Sequence, residues 1–122
     1  MTNFNKRLNE LDLSKVIHRL KATTGATNDQ CELAETLYRQ FLTQKARYPN
    51  TQIAPPQVAD DVWHEHLTDT VSYHNDCNAL FGEYLHHIPD EDNQEAWQTA
   101  VRLYQSEFNV DVSGLEAAGC RV

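Results

Sequence analysis

Residues 56–87 read PQVADDVWHEHLTDTVSYHNDCNALFGEYLHH, and the spacing within this stretch decides the fold. Pro56 suits the first turn of a helix, where its missing N–H leaves no bond unmade. Val58, Val62, Trp63, His66 and Leu67 then recur at the three- and four-residue spacing of one helical face. Asp69 or Thr70 can cap a following helix, on which Tyr73, Cys77, Leu80, Phe81, Tyr84 and Leu85 make an apolar stripe. An antiparallel hairpin of these two helices would set His66 opposite His74 and Trp63 opposite Cys77.

The same period extends in both directions, while period-two alternation is nearly absent. Upstream, a helix from Leu13 to Thr24 is expected to stop at Gly25, which suits a left-handed cap. Thr27 and Gln30 make a capping box for the next helix, with Leu33, Leu37 and Phe41 on its inner face and an end before Pro49. Downstream, Asp92 and Glu95 open a helix that turns Trp97, Val101, Tyr104 and Phe108 inward. The pattern predicts an all-α fold, a compact array of about five helices. One domain is expected over residues 1–122, with residues 1–11 and 111–122 as loosely ordered ends.

With 10 basic and 18 acidic residues the formal net charge is −8, which opposes nucleic acid and anionic membranes because phosphate binding needs clustered Lys and Arg. Residues 1–10 are polar, unlike a secretory leader, and no apolar run is long enough for a membrane span. The 3 cysteines, Cys31, Cys77 and Cys120, form neither a disulfide framework nor a CxxC pair, so a reducing cytoplasm is expected. A protein partner remains open on this reading.

The chemistry is concentrated. Of 6 histidines, His64, His66, His74, His86 and His87 fall within the quoted stretch, among Cys77, Asp60, Asp61, Asp69, Asp76 and Glu83. Imidazole and thiolate donors suit a transition metal, zinc or iron. On a continuous helix, however, His64 and His66 diverge by about 200°, so geometry alone favours His66, His74 and Cys77 as a compact set. His86 and His87 join it only if the chain after Leu85 folds back. Each residue also has a structural reading: His66 as a hydrogen-bonded core histidine, His64 paired with Asp60 one turn earlier, and Cys77 as a small core hydrophobe. HExxH, GxSxG, P-loop and GxGxxG motifs are absent, so no reaction is indicated.

The run Asp60-Asp61-Val62-Trp63-His64-Glu65-His66-Leu67, then Tyr73, Asp76-Cys77 and Leu80-Phe81-Gly82-Glu83-Tyr84-Leu85-His86-His87-Ile88-Pro89, resembles the glycine-rich domain-containing protein-like family. The likeness extends upstream through Tyr38-Arg39-Gln40-Phe41-Leu42 and downstream to Leu103-Tyr104, although the glycine-rich part has no counterpart among 4 glycines. It implies a helical fold and brings no activity with it. Its polar signature falls on His64, His66, Tyr73, Asp76, Cys77 and His87, with His86 shared by the closer bacterial relatives, and omits His74. The resemblance therefore implies that His64 and His66 act together and that the helix is irregular near Trp63.

Two functional readings follow. One is a metal-binding domain using His64, His66, Cys77, His86 and His87. The other is a non-catalytic helical interaction module whose histidines form a buried polar network. A histidine-based pH switch is a weaker third.

Overall fold

Gly25, Thr27 with Gln30, and Asp69 set helix boundaries as expected, whereas the last helix opens after Asn93 with no side-chain cap, not at Asp92. The computed structural model describes residues 2–122 and contains α1 (Thr2–Glu10), α2 (Ser14–Thr24), α3 (Asn28–Arg47), α4 (Gln57–Thr68), α5 (Thr70–Phe81), β1 (Ile88–Pro89), α6 (Gln94–Phe108) and β2 (Cys120–Arg121). Gly25 ends α2 in the left-handed region at φ 71°. Thr27 and Gln30 close the capping box of α3, with the Gln30 amide 3.1 Å from Oγ1 of Thr27 and the Thr27 amide 2.9 Å from Oε1 of Gln30. Asp69 separates α4 from α5, its Oδ1 accepting the Ser72 amide at 3.3 Å. Among the described residues the fold is all-α apart from an antiparallel pair, Ile88 opposite Arg121 and Pro89 opposite Cys120, and an isolated antiparallel bridge between Pro56 and Ala117.

α3 is the central rod. Its Leu37, Tyr38, Phe41 and Leu42 are buried against Ala59, Val62, Trp63 and His66 of α4, with α2 and α6 packed on its other flanks. Trp63 lies 5.2 Å from Phe41, centroid to centroid, and is fully buried. Leu33, expected on the inner face of α3, is 53% exposed because a four-residue repeat drifts around the helix, and the buried stripe at this end runs through Cys31 and Ala34 instead.

Three expectations need revision. Residues 2–10 are a helix, not a loose end: Phe4 and Leu8, one turn apart, are buried, and Phe4 lies 5.7 Å from the ring of Phe81. α5 stops at Phe81 instead of reaching Leu85, because Gly82 takes φ 73° and turns the chain back. The C-terminal segment is also ordered. Val112, Ala118, Cys120 and Val122 are buried, and the main chain is tied in by Gln57 N–H to Glu116 O at 2.8 Å, Ala118 N–H to Pro55 O at 3.0 Å and Val122 N–H to Ile53 O at 3.0 Å. Asp90 N–H adds a bond to Gly119 O at 3.0 Å. Pro55 and Pro56 donate nothing, but the Pro55 carbonyl is free to accept, so the entry to α4 serves as the edge on which this tail lies.

Among the described residues no helix is long and apolar enough to cross a membrane.

The amides of Asp90, Ala118 and Val122 are expected to be protected in native-state hydrogen exchange, because each donates to main chain of another segment. Exchange at the rate of an unstructured peptide would contradict the placement of the tail.

Candidate metal centre and the buried histidine network

Two polar clusters flank Trp63. The inner one is built on His66, which is almost fully buried. Its Nδ1 lies 2.7 Å from the Tyr38 hydroxyl and its Nε2 lies 2.8 Å from Oδ2 of Asp76. A carboxylate can only accept, so Nε2 carries the proton and Nδ1 accepts from Tyr38, which fixes the neutral tautomer. Burial lowers the His66 pKa from the ordinary imidazole value, opposed by the hydrogen bond and charge of Asp76. The Tyr73 ring meets His66 edge-on at 4.9 Å. Its hydroxyl accepts from Trp63 Nε1 at 2.9 Å and donates to the Leu85 carbonyl. Burial pushes the Cys77 thiol up, and the same Tyr73 hydroxyl and Leu85 main chain lie beside it. The cluster is satisfied on every side.

The outer cluster joins three distant parts of the chain. Asp60 comes from the first turn of α4, His87 from the chain that doubles back after Gly82, and Cys120 from β2. Asp60 Oδ1 lies 2.7 Å from His87 Nε2 and 3.2 Å from the Cys120 sulfur. The three donor atoms all fall within 4.8 Å of one another. Cys120 is buried, whereas the Asp60 and His87 side chains keep 16% and 20% exposure, so water reaches one side of the group. Burial, with the Asp60 carboxylate beside it, raises the Cys120 thiol pKa far above its ordinary value. His87 bonds to Asp60 instead of to the sulfur, so no imidazole is aligned on the Cys120 thiol. The His87 ring lies over Trp63 with centroids 4.3 Å apart.

Of the residues expected as ligands, His87 belongs to the outer cluster and His66 and Cys77 to the inner one. His64 is exposed and so is His86, whose ring meets Tyr84 at 4.9 Å. α4 runs unbroken past Trp63, so His64 and His66 point to opposite sides and the irregularity implied by the resemblance is absent. His74 is exposed too, bonded to Asn78 at 3.2 Å. Asp60 and Cys120 are the members that spacing did not select. Asp60 stood within the histidine-rich stretch, but no local pattern links it to a cysteine 60 positions later.

A family model described as UCP032817-like matches residues 5–108. That description says nothing of a glycine-rich domain. No curated protein and no solved structure matches the chain. Asp60 and His87 lie inside the matched span, and Cys120 lies beyond it.

Replacing His66 by Ala is expected to cost about 1–3 kcal/mol of stability, because the Tyr38 hydroxyl and the Asp76 carboxylate lose their partner. Urea unfolding would measure it, and a change near zero would contradict the network. The pH dependence has a definite sign. With the folded pKa lowered, the unfolded chain takes up the His66 proton first as pH falls. The His66 contribution is therefore complete above about pH 6.5 and declines below it. Wild type should lose more stability than the His66→Ala variant between about pH 7.5 and pH 5.5; parallel profiles would contradict this.

Proposed function

We propose, for a chain that belongs to the UCP032817-like family, that it is a small helical metal-binding module in which Asp60, His87 and Cys120 hold one transition-metal ion. The observation that carries this reading is the meeting of a carboxylate, an imidazole and a thiol within 4.8 Å, drawn from three segments remote in sequence. Zinc bonds run at about 2.0–2.3 Å to such donors, so two ligands of one tetrahedral ion stand about 3.3–3.8 Å apart. Shifts on the order of 1 Å would bring the three atoms to that spacing. The ion would take the place of the protons that now join Asp60 to His87 and Cys120. A mixed S, N and O set suits zinc, with iron the second choice. Three protein ligands with one side open to water leave a further coordination position for a water or a small ligand.

His66 supports the second reading, a non-catalytic interaction module whose histidine network is structural. Both of its ring nitrogens are engaged by protein groups, so it has no lone pair left for an ion. The two readings divide the histidines between them: His87 for metal, His66 for packing.

Calorimetric titration of the untagged full chain with zinc is expected to show one equivalent bound. Asp60→Asn, His87→Ala and Cys120→Ser should each weaken binding by more than about 10-fold, since even the partners of ligands cost that much. His64→Ala and His86→Ala should leave it unchanged. No stoichiometric binding, or full affinity in Cys120→Ser, would overturn the proposal.

A further inference from the structure

The chain that carries His87 leaves its helix at Gly82, and Glu83, Tyr84 and His86 around it are exposed. Something other than helical hydrogen bonding must set the imidazole. The bond from His87 Nε2 to Asp60 cannot do so with an ion present, because the ion would occupy that position. The β1–β2 pairing holds the chain from Ile88 onward, and two contacts act on the residues before it and on the ring itself. The Tyr73 hydroxyl takes the Trp63 N–H at 2.9 Å and donates to the carbonyl of Leu85, two residues before His87. The indole of that same Trp63 forms the surface on which the His87 ring rests, 4.3 Å between centroids with planes 57° apart. One phenol hydroxyl thus ties the backbone leading to His87 to the ring that supports it.

We propose that Tyr73 is the positioning residue of the metal centre, acting through Leu85 and Trp63 to hold His87 where Asp60 and Cys120 meet it. This rests on the metal reading above. Tyr73 touches no donor atom of the cluster and has no ligand role of its own. Its hydroxyl fixes the angle and depth of the imidazole, as the hydrogen-bonded partners of metal ligands do elsewhere.

Tyr38 provides the internal control. It too is a fully buried phenol, but its hydroxyl bonds to His66 and reaches neither the Leu85 carbonyl nor the Trp63 N–H. Removing the Tyr38 hydroxyl deletes one buried hydrogen bond and removing the Tyr73 hydroxyl deletes two, and only the second deletion frees the backbone that leads to His87.

The test is zinc affinity of the full-length chain, measured by competition with a chromophoric chelator, for wild type, Tyr73→Phe and Tyr38→Phe, with the visible spectrum of the cobalt(II) forms recorded alongside. Tyr73→Phe is expected to bind zinc about 10- to 100-fold more weakly and to give an altered cobalt spectrum, whereas Tyr38→Phe retains wild-type affinity and spectrum. Trp63→Phe, which removes the N–H donor and part of the supporting surface, serves as the second variant should Tyr73→Phe not fold, and is expected to weaken zinc in the same range. Wild-type affinity in Tyr73→Phe, or equal losses in Tyr73→Phe and Tyr38→Phe, would overturn the positioning role while leaving the metal site standing. Absence of zinc binding in wild type would remove both.

Discussion

The indole of Trp63 is wholly out of water and is engaged on three sides. Phe41 of α3 packs on it, its N–H is taken by the Tyr73 hydroxyl of α5, and the His87 ring lies against it. A tryptophan N–H buried without a partner would cost on the order of 1–3 kcal/mol, so α5 must sit where a phenol can reach it. That requirement fixes the α4–α5 angle, because Asp69 alone joins the two helices. With α5 placed, the Tyr73 hydroxyl selects the Leu85 carbonyl, and the chain after Gly82 has one path back across α4.

The rest of the site follows from that path. Pairing of β1 with β2 brings the C-terminal segment alongside, and bonds to Ile53 and Pro55 hold it against the entrance of α4. Asp60, in the first turn of α4, therefore faces both returning segments. Cys120 is buried between them by its own strand. Such an arrangement puts soft and hard donors together without asking any single helix to present two of them. It also separates tasks that the local sequence mixes. The histidine facing the core is consumed by packing, and the one at the end of the return is free to meet other donors.

The helices were legible because burial on one face imposes its period on the sequence, and Gly25, Thr27 with Gln30, and Asp69 mark ends by their own backbone chemistry. α1 leaves little signal because, among the described residues, only Phe4 and Leu8 of this otherwise polar run are buried. The end of α5 was hidden by Tyr84 and Leu85, which continue the stripe past Gly82 although the glycine already reverses the chain. A pair of two-residue strands has no alternation to read. For the site, the sequence picked out the histidine-rich stretch and warned that His64 and His66 diverge. It could not supply Cys120, since a residue brought in by a tail of irregular structure leaves no spacing rule, and the fate of that tail depends on main-chain bonds that carry no side-chain signature.

The most direct measurement is X-ray absorption at the zinc edge of the zinc-loaded chain. An ion held by Asp60, His87 and Cys120 requires one sulfur at about 2.3 Å and nitrogen or oxygen donors at about 2.0–2.1 Å in four-coordinate geometry. A shell made only of nitrogen and oxygen, or one with two sulfurs, would place the ion elsewhere and contradict the convergence of Asp60, His87 and Cys120.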